Sequence, residues 1–596
     1  MNSFTKHLPI LFKYKNLLFV GIFMFFGILL MFGSIKMAHA AVRTWTGTTS
    51  GAWSVASNWG GTAPVTGDDL VFPAGASNLS NTNDFTENTI FNSITLSGSG
   101  YTLSGNTIIL GAGLAGITDS AASGGNTIAL DIRLDNVSPV LRDITVTNTA
   151  ETLTISGRIA GVGGINKEGT GTLVLSSGNT FGGVLKINVG VVNARHATAL
   201  GTIAAGTEVV GNAALELEGD ISIGYEPLAL RGYGPSTTGA LRNVSGNNTF
   251  GGLITMIAGG AEIQSDSGTL TLTGGMTGAF PLVVDGAGDV TFSTTPIATG
   301  AGTVTKNGAG ILTYNFPNTY TGLTTVNAGT LLYGIDNAIL SGAITVSGGT
   351  LDIATFSDMV GVVTLGTLDL ANGTITGSTG LLSGTSWTVY QGTISARIAG
   401  DNSTLTKSTP GTVVLTRPNL YTGVTTISLG ILEIQDSTSL GLIDGNTVVT
   451  AGATLQINGD GLSIPEYITF SGTGHLYAGA IRNKTGDNTL TGLLTLGTVP
   501  MIMSDTGTTL TVDVKGLAAT TVGLTVGGEG NTTFTSTAPI YGTTATLTKN
   551  DTGTLTIQSF CNFTGATVIN RGTLLLNSAG AIPNSALTVN AGGTYT

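Results

Sequence analysis

At 596 residues the chain is too long for one compact core, yet 91 glycines, 9% charged residues and 6% aromatics do not fit a string of ordinary globules. A mean hydropathy of +0.35 excludes a disordered chain of similar Gly and Thr content. The formal charge of −12 argues against a nucleic-acid partner, and a single cysteine, Cys561, rules out any intrachain disulfide, so stability has to come from strand pairing and packing.

Residues 1–40 read as an export segment. Lys6, Lys13 and Lys15 precede an uncharged run from Leu17 to Ile35, and Ala38-His39-Ala40 offers small residues where a signal peptidase reads. That run is close to the length that spans a bilayer, so the two readings are cleavage before Ala41 and an uncleaved anchor through residues 17–35. Both place the remainder outside the cytoplasm, because the basic end stays inside. Residues 41–95 hold three of the four tryptophans, Trp45, Trp53 and Trp59. They read as a module capping the open end of a β-structure, with stacking on sugar rings as the competing role. Further on, Gly111-Ala112-Gly113-Leu114-Ala115-Gly116 satisfies GxGxxG, but no strand-turn-helix unit surrounds it, and no nucleotide site is assigned.

From residue 96 to 596 short apolar alternations are punctuated by glycine, the pattern of half-buried strands between turns. Four segments repeat in register, near 165–192, 304–332, 405–434 and 547–576, opening on Lys167, Lys306, Lys407 and Lys549. Glycine returns four residues after each lysine (Gly171, Gly310, Gly411, Gly553), then at Gly183, Gly322, Gly423 and Gly565, and again at Gly190, Gly329, Gly430 and Gly572. All twelve are read as turns, and the lysines as solvated turn or edge residues. An aromatic recurs at Phe181, Tyr320, Tyr421 and Phe563, preceded by Asn179, Asn318 and Asn419, with Cys561 at the fourth position. If coils stack, these aromatics superpose and the asparagines bond up and down the stack. A longer repeat encloses the short one: GALRNVSGNNTFGGLIT at Gly239 answers GAIRNKTGDNTLTGLLT at Gly479, 240 residues on, so residues 150–310 and 390–550 form two duplicated arms.

These segments resemble the autotransporter-associated β-strand repeat of bacterial surface proteins, with its Lys-x-Gly-x-Gly turn, Asn-x-Tyr-Thr-Gly turn and closing Gly-Thr-Leu strand; Lys306 to Leu332 follows it closely. The resemblance implies a right-handed parallel β-helix displayed outside the cell. No barrel-sized region follows the last repeat before Thr596, so the expectation is a passenger-like segment without the family's C-terminal β-barrel. At roughly 20 to 25 residues per coil, residues 96–596 make a stalk on the order of 100 Å long.

Chemistry is sparse. After residue 40 the only histidines are His196 and His475, and Cys561 has no partner thiol, so neither a zinc site nor a Cys/His pair is expected. Asp266 and Asp505, in SDSGT and SDTGT, read as turn residues accepting local N–H bonds. The expected function is therefore a secreted or cell-surface adhesin-like passenger, monomeric, without cofactor or catalytic residues, binding an unidentified surface ligand such as a glycan or another cell. The alternatives are a polysaccharide-active β-helix enzyme, which needs carboxylates converging on neighbouring coils, and a carbohydrate-binding module on a stalk centred on the tryptophans.

Overall fold

The computed structural model describes residues 40–111, 116–135, 141–515, 517–518, 521–577, 582 and 584–596. The export segment and most of the GxGxxG string lie outside them. Over the described residues the chain winds into a right-handed parallel β-solenoid of about 23 turns without α-helix. No helix among these residues is long and apolar enough to cross a membrane.

Each coil contributes strands to three faces. Gly164–Glu168, Leu185–Ile187 and Thr207–Val209 stack on the first face, and Thr172–Leu175, Val191–Ala194 and Ala214–Glu218 on the second. The third carries Ile159–Gly161 with Thr180–Phe181 and, further along, Asn248–Phe250 with Thr269–Leu272. Neighbouring coils pair in parallel, which at ~4.8 Å per rung makes the chain a rod.

The period-two pattern sets which side chains enter. Leu141–Val146 alternates half-buried and buried positions, sending Arg142, Ile144 and Val146 inward, and Thr269–Leu272 does the same with Leu270 and Leu272. The result is one apolar column running from Trp45 to Ile582. Because every coil buries its inner face against the coils above and below, no coil is stable alone. Loops absorb the variation in coil length: 16 residues separate Leu382 from its partner Ile398, and 27 separate Val42 from Asp69.

The ladder crosses residue 95 without a break. Val42–Thr44 already pairs with Asp69–Phe72, which pairs with Ser93–Leu96, so the tryptophan-rich segment forms the first coils of the solenoid itself. Trp45, Trp53 and Trp59 plug its end. Their rings pack edge-to-face on one another and against Phe72, with 5.0 Å between the Trp45 and Trp59 centroids. Each indole N–H is satisfied inside, by Asn78 O, Asn81 Oδ1 and Trp53 O respectively. The sugar-stacking role considered for these residues is corrected by this burial: Trp45 and Trp53 are 0% exposed and Trp59 5%, leaving no ring face for a ligand.

Candidate functional site

The four repeats build the same corner from the inside. Each lysine lies in a strand with its side chain turned into the rod, and all four are buried, which corrects the reading of them as solvated. Lys167 Nζ donates to the carbonyls of Glu168 (2.9 Å), Gly169 (2.7 Å) and Val189 (3.0 Å). Lys407 Nζ reaches Thr409 O and, at 3.1 Å, Leu429 O; Lys306 and Lys549 hold the carbonyls of the two residues that follow them. At Lys167 and Lys407 the ammonium therefore ties the corner of one coil to the next. Desolvation pushes Lys167 down to about 7 and the other three to about 8, while the carbonyl oxygens around each Nζ work the other way by solvating the charge.

The glycines serve this clamp in two ways. Gly190 and Gly430, like Gly329 and Gly572, adopt a left-handed turn, with φ of 75° at the first two. Seven of the eight others owe their glycine to crowding by backbone, a Cβ at Gly171 lying 2.4 Å from Asn148 O and at Gly553 1.8 Å from Gly530 O, while Gly411 faces the Gln391 side chain.

The asparagines bond up and down, but to backbone rather than to one another. Asn179 Oδ1 accepts from Ile159 N at 2.8 Å on the preceding coil and its Nδ2 donates to Ala199 O at 2.7 Å on the next. Asn318 and Asn419 repeat this with Ile297 and Ala338, and with Ile398 and Ser439. Cys561 Sγ stands in as acceptor from Ile540 N at 3.4 Å. The expected superposition of Phe181, Tyr320, Tyr421 and Phe563 is corrected, because the repeats are several coils apart; each ring is buried singly, Phe181 against Gly201 and Tyr421 against Gly441. A true side-chain ladder stands elsewhere, along Asn550, Asn570 and Asn590, where each Nδ2 donates to the preceding Oδ1 at 2.8 and 2.7 Å. It begins one residue after the lysine, a position whose recurrence in the next coils could have revealed it.

The duplicated arms do not face the same way. Lys167 stands on the first face, whereas Lys306 pairs with Val284 and Val326 on the second; Val326, Val346, Leu365 and Val389 then lead rung by rung to Lys407 on that same face. Along the first face six rungs separate Lys167 from Ile297, the strand just before Lys306, and five separate Lys306 from Lys407. The 240-residue unit is thus eleven coils and one face: the second arm repeats the first roughly 54 Å further along, turned by about a third of a revolution.

Both arms display an exposed apolar ridge at a coil corner. In the first it is Ile203 (62% exposed), Tyr225 (83%) and Leu253 (48%); in the second Ile443, Tyr467 and Leu493, between 44% and 48%. The corner carbonyls of Gly206, Pro227 and Leu253 accept from successive strand starts, as do those of Asn446, Tyr467 and Leu493, so the corner segments that hold these apolar residues lie on consecutive coils. Below each ridge lies a buried carboxyl. Glu226 accepts from Thr207 Oγ1 at 2.9 Å and Glu466 from Thr447 Oγ1 at 2.8 Å, and desolvation pushes both up to about 7.

Several other acids are neutralised or hidden. Asp266 and Glu216 flank Arg242, and Asp505 pairs with Arg482, rather than capping turns alone. Asp119 and Glu151 sit together at 0% exposure, with desolvation pushing Asp119 up to about 6. Among the described residues no group of three or more His, Cys, Asp or Glu is placed to hold a metal.

Comparison with known proteins meets this geometry. The passenger-associated-transport-repeat model matches residues 165–194, 297–332, 405–434 and 547–576. The chain is 29% identical over 493 residues to the adhesin BmaC autotransporter of Brucella suis biovar 1 (strain 1330), a match covering 76% of this chain but only 13% of that protein. No solved structure matches. The four matched segments are those that carry the lysine clamps, and at each of them this chain bears the autotransporter passenger repeat.

Proposed function

We propose that the chain is the rod of an adhesin-like surface passenger, exported through its N-terminal segment and working by binding rather than catalysis. Similarity to an adhesin autotransporter and the repeat itself support display outside the cell. The observation that carries the binding role is the ridge present in both arms, Ile203-Tyr225-Leu253 and Ile443-Tyr467-Leu493. Exposed apolar side chains on consecutive coils stabilise nothing in the isolated rod, whereas aromatic anchors such as Tyr225 and Tyr467 are common centres of binding energy. Two ridges on different faces allow one rod to touch two surfaces, and weak contacts held on one scaffold gain by avidity.

The test is adhesion of immobilised chain to epithelial cells and to extracellular-matrix proteins. Tyr225→Ser and Tyr467→Ser should each lower retention severalfold, and together should nearly abolish it, while thermal melting stays unchanged because both residues are exposed. Retention unaffected by the double substitution would remove the ridges from the function.

A further inference from the structure

The second arm carries an apolar apex on a corner turn that the first arm also forms but tips with polar residues. Residues 474–478 rise from the corner between the second and third faces as a rigid knuckle. Gly479 N closes it on Thr473 O at 2.8 Å, and Thr454 Oγ1 fastens it by donating to Gly479 O and accepting from His475 N. Its apex is Leu476 and Tyr477, 84% and 78% exposed, with φ of 49° and 64°. On the next coil Val499 is 65% exposed with φ of 50°, an unusual conformation for a β-branched residue. The equivalent positions of the first arm, in the same left-handed backbone, are Ser236, Thr237 and Gly259.

The comparison within one chain is informative. Gly259 suits a left-handed corner and Val499 is strained there, while Ser236 and Thr237 are replaced by Leu476 and Tyr477, which turn a polar apex into an apolar one in contact with water. Strain of this kind persists where a function uses it. Beside the knuckle, with Thr498 and Val499 as one wall and Thr521, Val522 and Thr546 among the others, lies a groove of ≈ 440 Å³. All its lining residues are Thr, Val, Leu or Gly, so it carries no charge.

We propose that this knuckle and groove form a self-complementary contact with a second copy of this chain, Leu476 and Tyr477 of each rod entering the groove of the other. The charge balance favours that occupant. A chain of net charge −12 repels its own copy over most of its surface, and two such rods can approach only where the patch is free of charge. A convex apolar apex beside a concave neutral groove is also what a two-fold contact between identical surfaces requires. One such contact is smaller than the ~1,200 Å² of a stable complex, so it is weak for free rods and effective when many are held side by side. The inference rests on the rod being displayed in that way, but its test needs no host surface and so fails or succeeds apart from the adhesive reading.

Beads densely coated with the purified full chain are scored for clustering. Wild-type beads should cluster. L476S/Y477T and V499G install the first arm's own residues in a backbone that already suits them, so they fold, and the double variant should cut clustering on the order of tenfold. T498D, which places a charge in the groove wall, should do the same. Beads bearing L476S/Y477T mixed with beads bearing T498D keep one knuckle-in-groove pair of the two and should recover part of the clustering. Wild-type beads that stay single, clustering untouched by L476S/Y477T or by T498D, or no recovery in the mixture would each overturn the proposal, as would equal capture of wild-type beads by phosphatidylcholine vesicles.

Discussion

The two arms are the same sequence idea folded twice, and their differences separate what the rod needs from what it displays. Inside, little has changed: Lys167 and Lys407 clamp carbonyls across a corner, and Asn179 and Asn419 bridge neighbouring coils through the same two bonds. On the half-buried surface the partners have exchanged roles. Asn193 donates to Glu216 and Glu218 in the first arm, whereas Glu433 accepts from Gln456 and Asn458 at the same positions in the second. The contact is kept while donor and acceptor trade sides. At the exposed knuckle nothing is kept but the backbone. Divergence therefore grows with distance from the axis, as expected when packing restrains the inside and only partners restrain the outside.

The comparison breaks first at the clamps. Lys167→Met and Lys407→Met leave buried carbonyls without donors and should each cost about 3 kcal/mol, read as faster hydrogen exchange in the flanking strands of the mutated arm only. A loss spread evenly over both arms would contradict the local role. Asn179→Ala and Asn419→Ala orphan one N–H and one carbonyl apiece, for about 2 kcal/mol each, while Cys561→Asn completes the fourth repeat and should gain about 1 kcal/mol.

The role exchange can be sharpened by a double-mutant cycle. Asn193→Glu crowds three carboxylates and Glu216→Gln removes a partner of Arg242; together they recreate the second arm's Glu433–Gln456 contact, with Glu218 left in place, and their coupling should be about 1 kcal/mol in favour of the double variant. Titration tests the buried groups of both arms without any substitution. Desolvation raises Asp119 and Asp358 to about 6 and Glu226, Glu262 and Glu466 to about 7, so the folded state binds more protons than the unfolded one from about pH 4.5 to 7, and stability falls as pH rises through that window. The clamp lysines, lowered to about 7 or 8, hold fewer protons folded than unfolded up to about pH 10.5, so their contribution rises with pH above 8. Melting temperature against pH should show a minimum near 7 to 8.

The axial architecture was legible because it rests on local patterns: Leu173 and Leu175 alternate, and glycines return in register wherever two coils touch. The lysines were misread because charge normally marks the surface; only the corner's open carbonyls, invisible before folding, make the inside habitable for Nζ. The tryptophans were ambiguous because a plug and a platform use the same residues and differ only in which way the rings turn. The rotation between arms was hidden too, since it depends on summing coils of unequal length, and the ridges became visible only once Gly206, Pro227 and Leu253 stood on consecutive rungs.

Continuous winding through unequal coils is the central claim, and cysteine cross-linking across the segment between the arms tests it most directly. Thr364 and Thr388 are half-buried partners on adjacent rungs 24 residues apart, and Thr388 and Thr406 are partners only 18 apart. In a Cys561→Ser background, T364C/T388C and T388C/T406C should each form a disulfide under mild oxidation, since parallel neighbours lie ~4.8 Å apart, within disulfide reach. Neither pair closing, with T388C instead joining a cysteine at Ser408, would mean an even coil of about 20 residues and would contradict both the register and the turn between the arms.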